Sequence, residues 1–290
     1  MSRTAARFGI MTAPSQVSYR DILRVWREAD AVPEIEHAYL FDHLLPIGGD
    51  PTGPTYEGWT LLSALAAQTD RLRLGLLVTS NRFRPPAMLA KIAATVDVVS
   101  GGRVDLGIGV GSRPSHPLAR REYEAYGLPF HDADHAVGRL AEACTVIRRL
   151  WTEDKPFDFH GTYVRLTGAF CSPKPVQAPR LPILIGGLSR ATLRVVAEHA
   201  DVWNVPGGDI DEAVRRGELL DQYCAEIGRN PASITRSILL PTSYHRPDIT
   251  REAIAQAIGA GFGHIVLGLP TPYPHDVARW IADELITPST

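Results

Sequence analysis

Thiols, primary amines and long apolar runs are all scarce in this chain. Its three cysteines, Cys144, Cys171 and Cys224, lie far apart and form no C-x-x-C pair. That spacing argues against a disulfide frame or a cysteine-type zinc site, and favours reduced thiols in a cytosol-like compartment. There are three lysines, Lys91, Lys155 and Lys174. None stands at the end of a strand-like run, so a Schiff-base aldolase would lack its amine. No apolar run approaches the 18 or so residues of a membrane span, and the polar residues after Met1 do not read as a signal peptide. The net charge of -2 provides no basic field for nucleic acid or an anionic membrane. With 44% hydrophobic and 21% charged residues, the composition is that of a globular cytoplasmic protein.

What the chain does have is alternation. Strand-like runs at Arg7–Met11, Ala38–Phe41, Arg73–Val78, Val104–Ile108, Pro182–Ile185, Asp201–Asn204, Ser237–Leu240 and His264–Leu267 are separated by helix-like stretches. Pro85–Ser100 is the clearest helix, with Met88, Leu89, Ile92, Val96 and Val99 as an apolar stripe and Gly101-Gly102 as its stop. Asp134–Trp151 reads as another, capped by Asp134, and Ser189–Ala200, Glu212–Ile227, Arg251–Ala260 and His275–Leu285 as further ones. Eight strand–helix repeats suit a (β/α)₈ TIM barrel or a doubly wound open sheet. The length, 290 residues, favours the barrel as a single domain over 1–290. Two insertions are expected: Ser112–Asp132 after the fourth strand, with a short helical segment at Leu118–Tyr126, and a hairpin with a proline-rich approach before the fifth.

In a barrel the chemistry sits at the C-terminal strand ends. The second strand ends in Asp42-His43, a carboxylate beside an imidazole that can exchange protons near neutral pH; a helix cap or an ordinary loop histidine is the plainer reading. No ligand set at metal spacing follows, so no metal is expected. The fourth strand, "RVDLGIGVGSR", dissolves into glycine, a sign that another backbone or a ligand comes close. "IGGLSR" at Ile185–Arg190 joins the fifth strand to a helix, where backbone N–H groups would favour a phosphate, or would make an ordinary tight turn. Neither stretch is a Walker loop or the G-x-G-x-x-G dinucleotide fingerprint.

Taken together, "FDHL", "LLVTSNRFRPPAMLAKIAATVDVVSGGRVDLGIGVG", "REYEAYGLPFHD", "CSPKPVQAPRLPILIGG" and "TLRVVAEHADVWN" resemble the luciferase-like monooxygenase family, in particular its branch that uses the deazaflavin coenzyme F420. The resemblance runs from Arg7 to about Leu269. It implies a (β/α)₈ barrel, usually a homodimer, with the cofactor ring across the C-terminal mouth. It places a non-proline cis peptide at Leu77-Val78 beneath the ring and Thr79 at the ring's polar edge. Asp42 matches the acidic residue that touches the ring, and His43 the histidine that moves a proton. Gly109, Gly111 and Ser112 would line the cofactor tail, and Gly186, Gly187 and Ser189 would hold its phosphate. Sugar-phosphate dehydrogenases of this branch carry a glutamate after the strand-four glycines; Arg113 stands there instead, which counts against that substrate.

The leading expectation is therefore hydride transfer between F420 and a small organic substrate, with His43 handling the proton. The alternative is an FMN-dependent monooxygenase supplied with reduced flavin by a separate reductase. A barrel that only binds a partner is a third, disfavoured by the Asp42-His43 pair. Tyr123, Tyr126 and Phe130 either cover the pocket or simply pack the insertion down.

Overall fold

A computed structural model describes residues 6–113, 115–129 and 132–287. The strands are β1 (Arg7–Thr12), β2 (Ile35–Leu40), β3 (Arg73–Leu76), β4 (Thr79–Ser80), β5 (Val104–Gly109), β6 (Phe157–His160), β7 (Arg165–Ala169), β8 (Ile183–Gly186), β9 (Val202–Pro206), β10 (Thr235–Pro241) and β11 (His264–Gly268). All but β6 and β7 pair in parallel, in the order β3-β2-β1-β11-β10-β9-β8-β5-β4, and pairing of β3 with β5 closes the ring. Because β4 continues β3, this is a closed eight-stranded (β/α)₈ barrel.

The helices are α1 (Tyr19–Asp30), α2 (Gly58–Ala66), α3 (Pro86–Ser100), α4 (Pro117–Ala125), α5 (Ala133–Thr152), α6 (Arg190–His199), α7 (Ile210–Glu226), α8 (Pro247–Gly259) and α9 (Val277–Ile281), the last running on as a π-helical turn over Ala282–Ile286. None is long and apolar enough to cross a membrane, among the described residues. Both faces of the sheet are covered, so each strand feeds two cores. Ile10, Leu40, Leu74, Leu76, Leu106, Ile108 and Ile185 pack outward under the helices. A smaller cluster of Tyr39, Leu77, Leu184 and Val266, with Met11, Val78, Val202 and Leu239, fills the lumen. Since side chains alternate along a strand, Gly75, Gly107, Gly109 and Gly186 fall on the lumen side.

Several sequence expectations need correction. The third strand stops at Leu76 instead of running to Val78; Leu77 and Val78, joined by a cis peptide, separate it from β4. The buried face of α3 is Leu89, Ala90, Ala93, Ala94, Val96 and Asp97, while Met88 and Val99 are more than half exposed. Alanines let the helix lie close to the sheet, which rotates the larger apolar residues outward. Asp97, buried there, accepts N–H bonds from Val104, Val176 and Gln177 and so ties α3 to the proline-rich approach. The cap of α5 is Asp132, which accepts from the His135 N–H; Asp134 sits inside the first turn. Helices α1 and α2 were absent from the expected set, although Ile22, Val25, Trp26 and Ala29 give α1 a regular buried stripe. The insertion after β5 carries α4 where a short helix was expected, and the hairpin before β8 is β6–β7. Phe130 lies outside the described residues.

Candidate active site

At the C-terminal mouth a cavity of about 270 Å³ opens between the ends of β2, β4, β5, β8 and β9 and the inserted α4. Phe41, Leu77, Val78, Phe83, Val110 and Leu239 make it largely apolar; His43, Ser80, Ser112, Tyr123 and Asn204 add polar groups. A concave apolar pocket with a few convergent polar groups is the usual form of a small-molecule site. No lysine or arginine lines it, among the described residues.

Asp42 leaves β2 with a carboxylate that is fully shielded from solvent. Three donors hold it. Arg84 donates from Nη1 to Oδ2 at 2.6 Å and from Nη2 to Oδ1 at 3.1 Å, and the Thr79 hydroxyl donates to Oδ2. Arg84 also pairs with Glu57, the cap of α2. Thr79 in turn accepts from Trp59 Nε1 at 3.3 Å. Burial pushes the Glu57 carboxyl up, but its bonds from Thr60 and the Arg84 charge outweigh that and hold it below the usual range. A forked guanidinium between two carboxylates is a rigid arrangement. It fixes the β2 end, the bulge after β3 and the start of α2 relative to one another.

His43 is part exposed at the cavity edge, and its Nδ1 lies 3.2 and 3.3 Å from the two oxygens of Glu122 on α4. Glu122 is 2% exposed and also accepts the N–H groups of Leu44 and Leu45. Nearby, the Tyr123 hydroxyl lies 3.2 Å from Ser80 Oγ, and burial raises its pKa against that hydrogen bond.

The glycines of the fourth strand have a nearer cause than a ligand. A Cβ on Gly107 would stand 1.9 Å from the Leu76 carbonyl oxygen, and one on Gly109 2.8 Å from Val78 Cγ2. On β8, one strand beyond β5, one on Gly186 would stand 3.2 Å from Val78 Cγ1. The bare backbone of Gly109 and Gly186 on these two strands gives the Val78 side chain room. Gly111, at φ +84°, would bring a Cβ to 2.5 Å from Ser80 Oγ. These glycines thus seat the valine that forms the cavity floor, while their exposed backbone makes its wall.

The structure brings Asp42, His43, Leu77, Val78, Gly109, Gly111, Ser112, Gly186 and Gly187 together around the cavity. It leaves out two residues named with them. Thr79 is fully buried behind Asp42, and Ser189 is spent capping α6 through its bond from the Thr192 N–H. Arg113 is exposed and does not line the cavity. Sequence reading missed Arg84, Glu122 and Asn204. Glu122 lay within the "REYEAYG" stretch, but nothing there distinguishes it from Glu124.

The geometry is that of a barrel with a largely apolar cavity at its C-terminal mouth and a histidine at the cavity edge. The sequence profile of luciferase-like monooxygenases matches residues 3–284. The chain belongs to that family of flavin- or deazaflavin-dependent oxidoreductases. Over 246 residues it is 30% identical to an F420-dependent glucose-6-phosphate dehydrogenase of Microbacterium testaceum, covering 83% of this chain and 69% of that one. It is 26% identical over 231 residues to an FMNH(2)-dependent dimethylsulfone monooxygenase of Pseudomonas putida, covering 78% and 61%. Its fold is similar to an F420-dependent secondary alcohol dehydrogenase solved with an F420-acetone adduct, at a TM-score of 0.85 and 19% identity, covering 99% of this chain and all of that one.

Proposed function

We propose that this protein transfers hydride between coenzyme F420 and a small uncharged organic substrate. One observation carries the reading: Val78, seated between Gly109 and Gly186, floors an apolar cavity at whose edge His43 is held by a buried glutamate. The residues fit such a cofactor. Its flat ring needs an apolar floor and a wall without side chains, and Leu77, Val78, Gly109, Gly186 and Gly187 supply them. Gly111 and Ser112 would accompany the tail outward.

Coenzyme F420 supplies the hydride-carrying ring carbon, and the chain supplies orientation, water exclusion and a proton route. His43 gives or takes the accompanying proton at Nε2, because Nδ1 is engaged by Glu122. Asp42 acts from behind the cavity, holding the bulge through Thr79 and Arg84. Among the described residues no lysine or arginine lines the cavity and Arg113 is exposed, which disfavours phosphorylated substrates.

A second reading, an FMN-dependent monooxygenase fed by a separate reductase, is supported by the similarity to the dimethylsulfone enzyme. Under either reading we place the enzyme in the cytoplasm as a homodimer. Anaerobic titration of the protein with F420 and, separately, with FMN tests the choice. Micromolar binding of F420 with weak FMN binding is expected; the reverse preference would shift the reaction to oxygen chemistry, and binding of neither would overturn both.

A further inference from the structure

Glu122 is a buried carboxyl group that does not line the cavity, so its place needs a reason. It reaches the end of β2 from a helix that belongs to the insertion, 79 residues further along the chain. Its Oε1 accepts the Leu44 and Leu45 N–H groups, and His43 Nδ1 lies within hydrogen-bond distance of both its oxygens. A carboxylate accepts and cannot donate, so the proton shared with the imidazole lies on Nδ1. The hydrogen bond at one ring nitrogen decides the state of the other. Nε2 has no partner among the described residues, and in the neutral ring it carries the lone pair.

We infer that Glu122 is the positioning residue of this site: it fixes His43 as the Nδ1–H tautomer and presents Nε2 to the cavity as the proton acceptor. The inference rests on the role given to His43 above. It also assigns a task to the insertion, since the tautomer is set only when α4 is docked against Leu44 and Leu45. The reach is short and specific. Glu124, two residues on, is exposed.

The test is ¹⁵N NMR of histidine-labelled protein without cofactor, at a pH where the ring is neutral, with the His43→Asn spectrum identifying the resonances. The wild-type protein should show Nδ1 as the protonated nitrogen. In Glu122→Gln the amide oxygen keeps the Leu44 and Leu45 bonds while the amide N–H₂ faces Nδ1, so the ring should flip to the Nε2–H tautomer. Turnover should then fall by about 10²–10⁴-fold with KM little changed, the scale of a lost or misprotonated base. An Nε2–H ring in the wild type, or an unchanged tautomer in a folded Glu122→Gln, would overturn the inference. The wild-type spectrum decides it even if the variant does not fold. Because the tautomer is read with no cofactor present, failure of the hydride-transfer reading would show in the titration and not here.

Discussion

The two ends of the barrel treat their histidines in opposite ways. At the C-terminal mouth the buried carboxyl groups of Asp42 and Glu122 are held by partners, Asp42 by Arg84 and Glu122 by two amides and His43. At the N-terminal end the lumen holds His37 and His264, ring to ring at 4.4 Å, with Tyr39, Asp105 and Arg73 around them. His264 Nε2 has no hydrogen-bond partner among the described residues. Burial, and then the charges of Arg7 and Arg73, push His37 down to about 3. Burial first and then His37 push His264 well below the usual histidine value. Both rings are thus neutral packing groups, whereas His43 stands part exposed beside a cavity with one nitrogen directed by a carboxylate. Histidine count alone says nothing about function; the difference lies in access and in a partner that sets the proton.

The sharpest break of this contrast is His43→Gln. Turnover of any substrate that supports hydride transfer should fall by about 10²–10⁴-fold, the scale of a lost general acid or base. Thermal unfolding should hardly move, since the side chain is part exposed. Equal losses of activity and stability would mean that His43, too, is a packing residue.

Next in size is Arg84→Met, which strands the Asp42 carboxylate with Thr79 alone. Removing one partner of a buried ion pair costs about 3–5 kcal/mol. Urea unfolding should show that loss, and an unchanged midpoint would mean that the network does not hold the bulge.

Gly109→Ala is smaller and local. Its Cβ would press on Val78 Cγ2 at 2.8 Å, so overpacking of about 1–3 kcal/mol is expected together with weaker cofactor binding. Wild-type affinity in a folded Gly109→Ala protein would dissociate the floor from the ligand.

The effect at the N-terminal end is absent near neutral pH and shows only on acidification. The folded pKa of His37 lies below its unfolded value, so between about 6.5 and 3 the unfolded chain binds the extra proton. Stability should therefore fall with pH through that window, by about 1.4 kcal/mol per unit once well below 6.5, and similarly for His264. His37→Gln should flatten the slope by roughly half in urea titrations at pH 7 and pH 5; an unaltered slope would place the sensitivity elsewhere.

Legibility from sequence followed the range of the interactions. The strand–helix alternation, the α4 segment and the Asp42-His43 pair are local patterns that a short stretch of sequence can show. Arg84 and Glu122 are not, because their partners lie 42 and 79 residues away and become neighbours only when the barrel closes. The glycines were legible as a close approach of backbone or ligand, but which of the two was not. For Gly107 it is the Leu76 carbonyl of the adjacent strand, which no single stretch of sequence can reveal. The stripe on α3 failed for a related reason: small residues, which a hydropathy pattern passes over, are what let a helix come close.

Hydrogen–deuterium exchange with and without F420 tests most directly whether the paired end is the functional one. The account predicts protection at 41–45, 76–80, 107–112 and 185–189, with the segments around His37, Arg73 and His264 unchanged. Protection confined to the N-terminal end, or none at the mouth under saturating cofactor, would contradict it.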